Sequence, residues 1–211
     1  MIARDAAIAG YEEGRIHVQH LSARESVAAI AEAKARGVQI TAEASPHHLT
    51  LTDEAVLERL DTRLKMNPPL REEEDRQALI AGLRDGTIDC IATDHAPHAR
   101  EEKEVPFEQA PMGTTGLETS FAAVFTELVA PGVLPLGLVV QRLSDGAALL
   151  GLPVPRVEVG ARANLVLLDL EREWTVEEPG FRSRSANSWL LGRRLRGAVL
   201  KTLADGRVVH G

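Results

Sequence analysis

The stretch Cys90-Ile91-Ala92-Thr93-Asp94-His95-Ala96-Pro97-His98 sets an apolar run directly against an acid and two imidazoles. A buried strand that ends this way projects charged, proton-exchanging groups from its C-terminal end, the edge at which α/β folds build their sites. The same design stands upstream in Arg15-Ile16-His17-Val18-Gln19-His20-Leu21-Ser22, an apolar strand that ends in histidine. Between and around these strands the chain alternates. Residues 2–13 read as a helix ended by Gly14, and 23–36 as a helix opened by a Ser22/Glu25 capping box and stopped by Gly37. Residues 38–44 read as a strand, Ser45-Pro46-His47-His48 as a turn, and the segment from Thr52 to Leu60 as a capped helix. An α-β-α-β-α order with short loops predicts parallel strands covered by helices.

Farther along, Pro68 and Pro69 make 64–71 irregular, and 72–84 reads as a helix with acids in its first turn. Thr87–Thr93 reads as a strand, 99–114 as a charged loop of the length usual for functional lids, and about 115–130 and 135–150 as helices. After Pro155 the texture changes to short strands at 157–160, 163–169 and 173–176, then a terminal hairpin through Asp205-Gly206. A boundary near 153–156 divides an α/β part, 1–153, from a small β-module, 154–211.

Composition narrows the function. The 211 residues carry a net charge of −7 with no Lys/Arg cluster, which argues against nucleic acid and against a membrane surface. No apolar run approaches a spanning helix, no signal peptide is evident, and one cysteine fits a reducing cytoplasm.

Several residues compete for chemical roles. Asp94, desolvated behind four apolar residues, asks for a metal or a charged partner, and Pro97 argues against a plain helix cap. His95 and His98 beside it fit metal or proton-transfer chemistry. His20 reads either as a buried histidine satisfied by backbone or as a ligand. His17, three residues earlier, faces the other side of the strand, so it is structural or turned toward the helices. His47 and His48 read mainly as backbone-bonding turn residues, Asn67 as an amide presented by a rigid loop or a plain turn, Glu72–Glu74 as a solvated helix start, and Cys90 as core filler.

Taken together, HVQHLS (17–22), EASPHHL (43–49), MNPPLR (66–71), IATDHAPH (91–98) and PMGTTGLET (111–119) resemble, in order and spacing, the dihydroorotases of the amidohydrolase superfamily. GARANLVLLD (160–169) and KTLADGRVVHG (201–211) resemble the small β-sandwich flanking the barrel in those enzymes. The resemblance implies an α/β fold holding the last three strands of a TIM-type barrel plus C-terminal strands of a β-sandwich. It implies zinc, with His20 and Asp94 as metal ligands and Asp94 also as the general base. Asn67, His98, Met112 and Gly113 correspond to residues that hold the substrate, dihydroorotate, on its way to N-carbamoyl-aspartate in pyrimidine biosynthesis. Asn67 and His98 set the pattern apart from hydantoinases and allantoinases, the alternative cyclic-amide hydrolases.

The family's His-x-His motif, its bridging acid of strand four and its strand-five histidine do not occur in these residues, and Ser144-Asp145-Gly146 stands where Ser-x-Asn-Pro is usual. The expectation is therefore part of a longer cytoplasmic enzyme, with the isolated chain binding at most one zinc weakly and showing negligible hydrolysis. The partner would be the missing barrel half or aspartate transcarbamoylase, the latter if the chain is a noncatalytic subunit, and the assembly a homo-oligomer.

Overall fold

The structure, a computed structural model, describes residues 1–211. Helix α1 (Ile2–Tyr11) leads into β1 (Arg15–Val18), α2 (Arg24–Ala35) into β2 (Gln39–Ala44), and α3 (Pro46–Thr50), α4 (Glu54–Arg59) and α5 (Glu73–Asp85) into β3 (Cys90–Ile91). The three strands form a parallel sheet in the order β1-β2-β3, with His17 beside Thr41 and Cys90 beside Glu43. Strand alternation divides the faces. Ile40, Ala42 and Ala44 enter a core with Ile30, Leu79, Ile80, Leu83, Ile88, Leu128 and Val139, while Thr41 and Glu43 face the other way. No helix is long and apolar enough to cross a membrane.

Three local expectations are corrected here. Ser22 does not cap α2. The helix begins one residue later than a Ser22 cap requires, and the buried Asp75 carboxylate accepts from Arg24 N at 2.8 Å. A carboxylate from a neighbouring helix thus does what the local serine was expected to do. The Ser-Pro-His-His segment is the start of α3, because Pro46 fits the first helical position and Ser45 Oγ accepts from His48 N. The strand expected over 87–93 keeps ladder pairing only at β3, although Asp89 N and Ala92 N still donate to Ala42 and Ala44 carbonyls.

Beyond β3, the short α6 (Arg100–Lys103) interrupts the expected loop. Lys65 Nζ donates to three carbonyls of that loop, those of Phe107, Glu108 and Ala110, and so ties it down. Helix α7 (Ser120–Val124) continues through a π-turn over Phe125–Val129, followed by α8 (Leu136–Ser144) and α9 (Gly146–Leu149). Residues 157–160 form no strand, and the strands expected at 163–169 and 173–176 are one, β4 (Leu165–Thr175), with pairing shifts after Leu167 and after Asp169. β4 pairs antiparallel with β5 (Arg194–Ala204), and β5 turns through Asp205-Gly206, both at positive φ, into β6 (Arg207–His210). That is the type I′ hairpin its sequence signals.

The two sheets share packing. Leu64, Met66, Ala122 and Ala123 from the α/β part bury against Val176, Trp189, Leu190 and Leu195. Gly197 makes one such contact possible. At φ 87° a side-chain carbon there would lie 3.0 Å from the Phe125 ring and 3.1 Å from Phe121.

Candidate active site

Because the strands of the first sheet are parallel, their C-terminal ends share one edge, and three chemically active side chains gather at it. His20 follows β1, His47 follows β2 on α3, and Asp94 follows β3. His20 and Asp94 hold left-handed backbone, φ 36° and 48°, which takes each out of the alternation of its strand. The Asp94 Oδ2 lies 3.7 Å from His47 Nε2, too far for a hydrogen bond. His47 Nε2 and His20 Nδ1 are both buried without a hydrogen-bond partner.

The electrostatics follow from that burial. Desolvation raises the Asp94 carboxyl above its usual range, with the His20 charge opposing the rise and Glu43 adding to it. Burial holds His47 well below the ordinary imidazole range, and His48 and His20 push it the same way. His48 is lowered to about 4, chiefly by burial. In its neutral form it is fully satisfied: Nε2–H donates to the Pro68 carbonyl at 2.9 Å, and Nδ1 meets Ser45 Oγ at 2.6 Å. His48 thereby fixes the loop that presents Asn67, which is exposed and joined to Pro68 by a cis bond.

On the other flank, the His98 ring nitrogen Nε2 donates to the Met112 carbonyl at 2.9 Å. Gly113 sits against the same ring. A side-chain carbon at Gly113, at φ 119°, would fall 2.5 Å from Ala96 Cβ and 3.4 Å from His98 Nε2. His98, Met112 and Gly113 are therefore brought together, while His20, His47 and Asp94 form their own group. His95 turns away from Asp94. Its Nδ1 accepts from Gly116 N and Leu117 N, and its Nε2 meets Ser183 Oγ at 3.2 Å, which in turn donates to Glu118 Oε1 at 2.6 Å. His17 does not turn toward the helices. It lies on the opposite sheet face, bonded to Thr41 Oγ1 and Glu43 Oε2, as a structural residue would be.

Two contributors escape a reading of the sequence. His47 does so because a helix start was read as a turn. Its signal is the proline at the first helical position, which carries the next residue inward. Asn187 does so because nothing in Ser185-Ala186-Asn187-Ser188 marks it. Buried, it accepts from His98 N at 3.0 Å and donates to the Ala96 carbonyl at 3.0 Å, so the β-module buttresses the loop after Asp94.

An unpartnered buried imidazole nitrogen on His20 and a desolvated carboxylate on Asp94 are donor types that zinc accepts, with the unpartnered Nε2 of His47 3.7 Å from that carboxylate. The residues present fit a metal, though as a partial ligand set.

A model of the amidohydrolase family matches residues 3–209. The dihydroorotase of Pelotomaculum thermopropionicum is 50% identical over 210 residues, 99% of this chain and 49% of its own length. The dihydroorotase of Brevibacillus brevis is 48% identical over 210 residues with the same coverage. Among solved structures, L-hydantoinase from Arthrobacter aurescens superposes with a TM-score of 0.91 at 31% identity, covering 99% of this chain and 48% of that one. The chain spans about half the length of the curated relatives it matches. With that family model running from the first helix to the last strand, this chain belongs to the amidohydrolase family.

Proposed function

We propose that the chain is the C-terminal portion of a cytoplasmic zinc dihydroorotase, a cyclic-amide hydrolase that interconverts dihydroorotate and N-carbamoyl-aspartate. In this reading, residues 1–153 supply the last three strands of a TIM-type barrel, and 154–211 supply part of its flanking β-sandwich. The carrying observation is the Asp94 carboxylate, desolvated at a strand end and facing the orphaned nitrogen of His47 at 3.7 Å, with the charge of His20 acting on it.

His20 and Asp94 hold the metal. When bound, zinc polarises the scissile ring carbonyl and acidifies water. Asp94, its carboxyl already raised by burial, takes the proton of the attacking water at Oδ2 and returns it to the departing amide nitrogen. Neutral His47 walls that carboxylate from solvent. Asn67 and His98 hold the substrate carboxylate and ring, and the backbone at Met112 and Gly113 closes over it. The relatives named dihydroorotase, at 50% and 48% identity, support this substrate over the hydantoins suggested by a structural neighbour at 31%.

The remaining ligands of this site come from the missing barrel half, so in the 211 residues alone the Asp94 site binds at most one zinc weakly and hydrolyses negligibly. Joining the N-terminal half of the Pelotomaculum thermopropionicum relative to this chain tests the reading. The fusion is expected to turn over dihydroorotate, and Asp94→Asn to lower kcat by roughly 10²-fold or more. A folded, zinc-loaded fusion that hydrolyses hydantoin and not dihydroorotate would refute the assignment.

A further inference from the structure

The sheet face turned away from the helices carries a second group of donors that the reading above leaves unused. His17 on β1, Glu43 on β2 and Cys90 on β3 bring an imidazole nitrogen, a carboxylate oxygen and a thiol sulfur within 4.8 Å of one another. Strand register does this. Cys90 lies directly beside Glu43, and His17 pairs with Thr41, the preceding residue of β2 on the same face. The 3.1 Å between His17 Nε2 and Glu43 Oε2 is close to the edge of a tetrahedral shell built on bonds of about 2.0 Å. His17 Nδ1 is held by Thr41 Oγ1 at 2.8 Å, the kind of outer contact that orients a ligating imidazole. Cys90 lies at the buried end of the group, and His17, with 32% of its side chain exposed, at the open end. Burial, with the charges of Glu43 and Asp89, pushes the thiol up to about 12, so the negative field that favours a cation keeps the sulfur protonated until one arrives.

We propose that His17, Glu43 and Cys90 form a three-ligand site for a borderline-soft divalent cation of the zinc type, open at a fourth position and separate from the Asp94 site. His17 precedes His20 by three residues and Cys90 precedes Asp94 by four, on the order of 10 Å back along strands rising about 3.3 Å per residue. The mixed N, O and S donors disfavour magnesium and calcium, which take oxygen. On binding, Sγ releases its proton to water, and the cation replaces the hydrogen bond between His17 and Glu43.

Cys90 is the only cysteine, so a thiolate-to-cobalt charge-transfer band in the near ultraviolet reports on this cluster alone. Titration of the folded chain with Co²⁺ is expected to give a saturable band, displaced by Zn²⁺ and indifferent to excess Mg²⁺. The band should be absent in Cys90→Ser, require roughly tenfold or more Co²⁺ in His17→Gln and Glu43→Gln, and persist in Asp94→Asn. Circular dichroism checks that each variant folds, and His17→Gln, at an exposed side chain, carries the test should Cys90→Ser fail to fold. No band in the folded wild-type chain, a band of full affinity in both His17→Gln and Glu43→Gln, or a band lost in folded Asp94→Asn would each overturn the proposal. None of these outcomes depends on turnover of dihydroorotate.

Discussion

Protonating His48 should destabilise this protein in a defined pH window, and the size of the effect follows from the structure. His48 is 3% exposed, with Nε2–H bonded to the Pro68 carbonyl and Nδ1 to Ser45, and its folded pKa is lowered to about 4 from 6.5. Between those two values the unfolded chain binds the proton and the folded chain does not. Stability therefore rises with pH across the window and falls as the solution is acidified. The two pKa values give a loss of about 2 kcal/mol between pH 7 and pH 5, and a limit of about 3 kcal/mol below both. Urea unfolding at several pH values, on the wild type and on His48→Gln, reads this group together with its coupling to His47, because acid effects of the carboxylates are common to both proteins. The variant starts less stable at pH 7 but should show a flatter dependence, with the difference closing by about 2 kcal/mol at pH 5. Parallel curves for the two proteins would refute the buried-neutral account of His48.

Other perturbations reach the same edge of the sheet. Gly113→Ala sets a carbon 2.5 Å from Ala96 Cβ at φ 119° and should cost about 1–3 kcal/mol in thermal or urea unfolding; an unchanged midpoint would contradict that close approach. Asn187→Ala leaves His98 N and the Ala96 carbonyl without their partner and should destabilise by about 2–3 kcal/mol, with faster amide exchange at His98 as the local readout. Leu79→Ala, at a side chain 1% exposed in the first core, should cost about 2–5 kcal/mol in the same unfolding assay.

The α/β alternation was legible because each helix and strand carries its own period, and the hairpin at Asp205-Gly206 because its turn chemistry is local. What escaped depends on distance in the sequence. Asp75 caps α2 from α5, 51 residues away, and no window centred on Ser22 contains that carboxylate. The two apolar segments of the β-module read as separate strands because Glu171, Arg172 and Glu173 interrupt the apolar run, and only pairing with β5 joins them. At the candidate site, Asp94 stood out as a charge after an apolar run. His47 stood next to an identical neighbour, and only the fold separates the one facing Asp94 from the one bracing Pro68. Cys90 reads as core from its strand, and its nearness to His17 and Glu43 comes from pairing across three strands.

The edge where β1, β2 and β3 end is built against the stability of the chain. His20 and Asp94 sit in left-handed backbone without being glycine, a conformation that costs an ordinary residue about 1–2 kcal/mol. His20 Nδ1 and His47 Nε2 are buried without partners, at about 1–3 kcal/mol for each such group. Burial also raises the Asp94 carboxyl, so its ionised form is held less favourably in the folded state than in water. Folding alone would favour a glycine at each turn and an apolar side chain in place of each orphan. Asp75, Asn187 and His48, also buried, are hydrogen-bonded by contrast, while Thr115 Oγ1, Glu118 Oε2 and Ser120 Oγ are buried without partners. An unpartnered buried nitrogen and a desolvated carboxylate gathered at one edge suit a cation site before the cation arrives. A divalent ion held by His20 and Asp94 would satisfy one orphaned nitrogen and favour the ionised carboxylate, offsetting part of these local losses.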